Sequence, residues 1–236
     1  MSAQVGVGVG FDIDHTLAID NKLERVAFLH LLDRIVAEGG RPLGTLQEEI
    51  ERIDALLAEQ RAGAFTIDEA VHRFSRERGG ETHDDYAAGF RRLATSMAET
   101  FVIPDPEAKG TLDALAASGT KVAVLSNGWS PLQNVKARRA GFGGTVIASA
   151  DLGVQKPHPQ AFAALCRELR LPPDRCFYVG DDPKADIAGA LAAGLRAVWI
   201  DNEGKTYPSN LPAPTHVVHR LSDVLGLVDA VRSQKS

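Results

Sequence analysis

The chain has 236 residues, 44% of them hydrophobic and 24% charged, with a formal net charge of −5. That length holds one large domain or two modest ones around a real core, and the acidic balance excludes a protein built to coat a nucleic acid polymer. No apolar run is long enough for a bilayer, Met1-Ser2-Ala3-Gln4 lacks the basic start of a signal peptide, and Cys166 and Cys176 make no disulfide scaffold. The default expectation is a cytoplasmic, enzyme-sized protein that does not engage membranes.

The first element is an alternating run, Val5-Gly6-Val7-Gly8-Val9-Gly10, which reads as a short buried strand whose glycines admit a close neighbour. At its end, Phe11-Asp12-Ile13-Asp14-His15-Thr16-Leu17 sets two carboxylates two residues apart. In extended geometry Asp12 and Asp14 share a side, roughly 6 to 7 Å apart. Two unit charges ~4 Å apart at an effective dielectric of ~20 repel by about 4 kcal/mol, so a proton, a metal ion or a cationic partner must neutralise one of them.

Helical spacing then takes over. Asn21 to Glu38 and Thr45 to Glu59 carry apolar stripes, Thr66-Ile67-Asp68-Glu69 matches a capping box opening a helix to Arg76, and a fourth helix is predicted from Thr82 to Glu99. The basic residues here, Arg73, Arg76, Arg78, Arg91 and Arg92, read mostly as a solvated face with i,i+4 pairs. From Pro104 onward strands and helices alternate. Helices are expected at Pro106 to Ala117, from Ser130, at Pro159 to Leu169, at Pro183 to Ala193 and at Leu221 to Val231. Strands are expected at Lys121 to Leu125, Thr145 to Ala148, Cys176 to Val179, Arg196 to Ile200 and His216 to Val218, with Tyr207 to Pro214 an irregular loop. Such alternation predicts an α/β fold, a doubly wound parallel sheet with helices on both faces and right-handed crossovers.

Four polar clusters fall where such a sheet brings strand ends to one edge: Asp12/Asp14/Thr16, Ser126-Asn127, Lys156-Pro157 and Asp181-Asp182 with Asp186. So much acid calls for a hard divalent cation, and carboxylate with water ligation suits magnesium. That ion, Lys156 and the Ser126 and Asn127 donors together suit a phosphoryl group. No Walker loop is present, and the glycine run at the start lacks the third glycine of a dinucleotide fingerprint. His216-Val217-Val218-His219 is not a helical metal pair. Trp199 reads as packing, whereas Trp129 suits either a substrate contact or burial against its helix.

In this order the motifs resemble the haloacid dehalogenase superfamily of hydrolases, a Rossmann-like core with an inserted helical cap of the first type. Asp12-Ile13-Asp14-His15-Thr16 matches the first motif, Ser126 the second, Lys156 the third and Gly180-Asp181-Asp182-Pro183-Lys184-Ala185-Asp186 the fourth. The resemblance implies a core of residues 1–17 and 104–236, a cap of residues 18–103, and hinges at Leu17 to Leu23 and Thr100 to Pro106. It implies that Asp12 attacks phosphorus, and that Asp14 protonates the leaving oxygen and later activates water. Magnesium would be held by Asp12, the Asp14 carbonyl and Asp181, with Asp182 an optional helper. Thr16, Ser126, Asn127 and Lys156 would orient the nucleophile and the phosphoryl oxygens, and Asp186 would brace Lys156 or the metal shell.

Within the family, members that dehalogenate carbon generally lack an acid at the Asp14 position. Phosphonate-cleaving members would be expected to offer a cap lysine, and Lys22 is the sole lysine between Leu17 and Pro104. His15 departs from the small residue often found there. The expected activity is hydrolysis of a small phosphorylated metabolite by a monomer or small homo-oligomer. The alternatives are a phosphomutase and a non-catalytic binding protein on the same fold.

Overall fold

A computed structural model describes residues 6–80, 84–201 and 204–233. The chain divides into two compact units, residues 1–20 with 102–236, and residues 21–101. These limits sit slightly inside the predicted insertion, 18–103, for a local reason. Strand β2 (Ala18–Ile19) pairs antiparallel with β3 (Ile103–Pro104), and this small ribbon belongs with the first unit.

The first unit is built on a six-stranded, all-parallel sheet. Its strands are β1 (Gly8–Phe11), β4 (Lys121–Ser126), β5 (Val146–Ala148), β6 (Cys176–Gly180), β7 (Arg196–Ile200) and β8 (His216–Val218), in the spatial order β5-β4-β1-β6-β7-β8. All four β1 residues are buried, as a central parallel strand requires. Helices α5 (Ala108–Ala117), α6 (Ser130–Arg139), α7 (Ser149–Leu152), α8 (Pro159–Leu169), α9 (Gly189–Ala192) and α10 (Asp223–Ser233) surround it. One face packs Ala123, Leu125, Tyr178, Ala197 and Trp199 against Phe162 and Leu165 of α8. The approach of α8 explains the glycines of β1, because a Cβ on Gly10 would lie 2.3 Å from Leu165 Cδ2.

The second unit holds α1 (Leu23–Ala37), α2 (Leu46–Arg61), α3 (Ile67–Glu77) and α4 (Asp84–Phe101). Its centre is aromatic, with the Phe28 ring 5.1 Å from that of Phe74 and 4.6 Å from that of Phe90. The expected start of the fourth helix at Thr82 lies outside the described residues. A reciprocal capping box forms at Thr45 and Glu48. At Thr66, the side chain accepts from the Glu69 N–H, while the Glu69 carboxylate pairs with Arg73. Arg91 and Arg92 pair with Asp68 and Asp85 at the surface. Arg78 departs from the solvated-face expectation: it is 1% exposed, donates from Nε to Glu49 Oε2 at 3.0 Å and lies over the Phe74 ring.

The remaining departure concerns Pro183 to Ala193, where a single α-helix was expected. Residues Pro183–Ala188 form a wider turn in which the Ile187 N–H reaches back five residues to the Asp182 carbonyl, and only Gly189–Ala192 is α-helical. Such widening redirects the side chains of one turn.

Candidate active site

The C-terminal end of β1 carries the first cluster. Asp12 continues the β1–β6 ladder one residue past the strand, its N–H donating to the Val179 carbonyl at 2.9 Å. The chain then winds around one acceptor: the Ile13 carbonyl takes the N–H groups of Thr16, Leu17 and Ala18 at 3.2, 2.9 and 2.9 Å. His15 reaches φ 57°, the left-handed region that a non-glycine residue seldom occupies, and its N–H donates to the Ala18 carbonyl at 2.8 Å. This tight loop fixes the main chain of both carboxylates. Thr16 Oγ1 is buried and meets no hydrogen-bond partner among the described residues, and an unmatched buried hydroxyl costs about 1–3 kcal/mol.

Lys156, just before α8, supplies the cation. Its side chain is 2% exposed, and Nζ lies 2.8 Å from Asp12 Oδ1, 2.7 Å from Asp186 Oδ1 and 2.9 Å from Tyr178 Oη. Tyr178 in turn donates to the Leu125 carbonyl at 2.6 Å, tying the lysine to β4 and β6 together. Burial disfavours the ammonium, but Asp12 and Asp186 overcome it and hold Lys156 well above the ordinary lysine value. Ser126 is the last, buried residue of β4. The Asn127 amide accepts from the Lys156 N–H at 2.9 Å and donates to the Lys156 carbonyl at 3.2 Å. It therefore clamps the main chain of the lysine, a contact beyond the phosphoryl-orienting role expected for it.

The third cluster follows β6. The Trp199 indole N–H donates to the Asp181 carbonyl at 2.9 Å, fixing that residue's main chain. Asp182 caps the wide turn, its Oδ1 accepting from the Lys184 and Ala185 N–H groups at 2.7 Å each. Asp186 Oδ2 accepts from the Asp182 N–H at 3.0 Å, against a strand end that must be glycine, since a Cβ on Gly180 would lie 2.3 Å from that oxygen.

Carboxylate oxygens of Asp12, Asp181 and Asp186 all lie within 4.8 Å of one another. Burial first, and then the Asp12 charge, push Asp181 up to about 7. Asp186 commits both oxygens, to Lys156 and the Asp182 N–H, whereas Asp12 commits only Oδ1 to Lys156, so Asp12 and Asp181 are the better placed pair for an ion. Three acids around one buried lysine leave excess negative charge, and all-oxygen donors match a hard divalent cation. The residues present fit such an ion.

The family model for haloacid dehalogenase-like hydrolases matches residues 8–194. The chain belongs to this family. Over 135 residues it is 33% identical to the phosphoserine phosphatase of Thermus thermophilus, a match covering 53% of this chain and 54% of that protein. The chain thus spans about half the length of that relative. A longer match, 27% identical over 198 residues, covers 83% of this chain and 85% of a glyceraldehyde 3-phosphate phosphatase from Methanothermobacter thermautotrophicus. Among solved structures, a 2-haloacid dehalogenase from Pseudomonas syringae superposes with a TM-score of 0.72 at 26% identity, covering 96% of this chain and 100% of that one.

Two members of this haloacid dehalogenase-like site escape the sequence motifs. Lys136 on α6 is buried, and its Nζ contacts Asp14 at 2.8 Å and Asp20 at 3.1 Å. The available signal is a charged residue in an apolar stripe, since Lys136 follows Leu132 by one helical turn and precedes Ala140 by another. Burial raises Asp14 and Lys136 lowers it, with Asp20 and Asp12 adding repulsion; the result is a carboxyl at about 6. Trp129 is 3% exposed, so of its two expected roles the structure shows burial.

Proposed function

We propose that this chain is a divalent-metal-dependent phosphatase, with magnesium the expected ion, that hydrolyses a phosphate monoester of a small metabolite through an aspartyl-phosphate on Asp12. The observation that carries this reading is the second carboxyl in the β1 loop. Asp14, at about 6, is able to give a proton near neutral pH and take one back. An alkoxide leaving group needs that proton, whereas a halide does not, so the Asp14 loop favours ester cleavage over the carbon–halogen chemistry named for the Pseudomonas relative. The phosphatases among the relatives support the same choice.

Asp12 supplies the attacking oxygen, oriented by Lys156 Nζ on its Oδ1. Lys156 also neutralises charge on the incoming phosphoryl group, and Ser126 and Thr16 offer hydroxyls to its oxygens; the orphaned Thr16 Oγ1 fits that task. As the ester bond breaks, Asp14 protonates the departing oxygen. It then draws a proton from the water that attacks the aspartyl-phosphate, returning both acids to their starting states. Asp12, Asp181 and the Asp14 carbonyl would hold the metal ion, whose charge offsets that of the phosphoryl oxygens and of the clustered acids. In this reading residues 21–101 serve as the cap, and their side chains select the substrate.

The test is hydrolysis of p-nitrophenyl phosphate with magnesium and with EDTA, in wild type and Asp12→Asn. Magnesium-dependent turnover that vanishes in the variant is expected. Turnover that survives Asp12→Asn would remove Asp12 as the nucleophile.

A further inference from the structure

Of the two buried lysines among the described residues, the reaction proposed above uses Lys156 and leaves Lys136 without a task. Lys136 occupies a core position on α6, with Leu132, Val135 and Ala140 buried beside it. An ammonium in such a stripe carries a desolvation cost that Met or Leu would avoid, so its partners must compensate. Those partners are specific. Nζ lies 2.8 and 3.1 Å from the two oxygens of Asp14, and 3.1 Å from Asp20 Oδ2. The Asp20 side chain is 15% exposed and that of Asp14 is 32% exposed. Asp20 is therefore the enclosed end of the bridge and Asp14 the open end. The two lysines divide the two carboxylates of the β1 loop between them, Lys156 on Asp12 and Lys136 on Asp14.

Resting on the phosphatase reading, we infer that Lys136 is a positioning residue: anchored by Asp20, it holds the Asp14 carboxyl where a proton reaches the ester oxygen. In that step an Asp12 oxygen bonds to phosphorus. The bond from phosphorus to the ester oxygen breaks, its electron pair stays on that oxygen, and the proton passes to it from Asp14. Lys136 and Asp20 form no bond to phosphorus or to the ester oxygen, and they act only through Asp14. Because Nζ reaches both Asp14 oxygens, turning the carboxyl away breaks two contacts at once. A carboxyl on a loop, left unheld, would spread its proton over several orientations, and most of them miss the ester oxygen.

The leaving group separates this role from simple structural support. Glycerol 2-phosphate releases an alkoxide that needs a proton, while 2,4-dinitrophenyl phosphate releases a stable phenolate that does not. For both esters kcat/KM reads the step that phosphorylates Asp12. Lys136→Met is expected to lose on the order of 100-fold in kcat/KM on glycerol 2-phosphate and at most about threefold on the dinitrophenyl ester. Added to Asp14→Asn it is expected to cause no further loss on the alkyl ester, because the two act as a unit. Asp20→Asn, which keeps the lysine and the shape of its anchor, is expected to show the same bias at smaller size. It carries the test if Lys136→Met does not fold.

Equal fractional losses on the two esters in a folded variant, or additive losses in the Asp14→Asn background, would overturn the assignment. A gain on the alkyl ester would overturn it too. Wild-type protein that cleaves neither ester would instead remove the phosphatase reading itself.

Discussion

Asp186 holds Lys156 and the loop after β6 with a single carboxylate, taking Nζ at 2.7 Å on Oδ1 and the Asp182 N–H at 3.0 Å on Oδ2. Asp186 and Lys156 are both buried, so their ion pair is not exchanged for water without cost. Asp186→Asn is expected to destabilise the protein by about 3 kcal/mol, the usual penalty for breaking a buried ion pair on one side. Urea titration followed by circular dichroism measures it. An unchanged midpoint would show that Asp12 and Tyr178 alone hold the lysine.

Tyr178→Phe removes the hydroxyl that joins Lys156 Nζ to the Leu125 carbonyl while keeping the ring against Phe162. A loss of about 1–2 kcal/mol is expected, since a buried carbonyl and a buried ammonium each lose a partner. The same titration checks it, and kcat should fall more than KM rises if the lysine shifts.

The pH dependence of stability has a definite sign. Asp14 is raised to about 6 and Asp181 to about 7, both from an ordinary value near 3.8, with burial the largest cause in each. A raised folded-state carboxyl contributes stability that is complete below the unfolded value and is lost as pH climbs through the folded one. Metal-free protein is therefore expected to lose melting temperature between about pH 4 and pH 7 from these groups. Magnesium should reverse the loss, with its stabilising shift larger at pH 8 than at pH 5. Melting curves at both values, with magnesium and with EDTA, decide it; a larger shift at pH 5 would exclude the Asp181 carboxylate as a ligand.

Gly180→Ala places a methyl group 2.3 Å from the Asp186 oxygen that accepts the Asp182 N–H. A cost of roughly 1–3 kcal/mol is expected from the forced displacement. Weaker magnesium binding should accompany it, because the main chain of Asp181 sits between the two. Calorimetric titration of magnesium into the variant checks that coupling.

The sheet was legible because its strands are short, apolar and regularly interrupted, and each acid falls where an apolar run stops. Asp12, Ser126 and Asp181 could be placed at one edge for that reason alone. Contacts between side chains distant in sequence were not legible. The Asn127 clamp on the Lys156 main chain joins residues 29 apart, and nothing in either local pattern marks it. Lys136 was hidden in the opposite way, by sitting in a stripe whose other members are apolar, so that the helix reads correctly without it. At Pro183 to Ala188 the periodicity supported a helix, but five or six residues carry too little pattern to reveal a wider turn. Arg78 is the exception among arginines read mostly as a solvated face, because its partner, Glu49, is itself buried and lies far from it in sequence.

The central position of β1 has a consequence for how the protein is made. Gly8 pairs with Lys121 on one side and Cys176 on the other, so the strand leaves the ribosome more than a hundred residues ahead of either neighbour. Its exposed apolar edges must wait through the synthesis of the whole helical segment, an interval in which slow, long-range pairing leaves a chain open to aggregation. Nascent chains stopped short of β6 would present the Asp12 loop without the Val179 carbonyl that seats it. Chaperone dependence in the cell should therefore track release of the last third of the chain, while the melting temperature of the finished protein would give no hint of it.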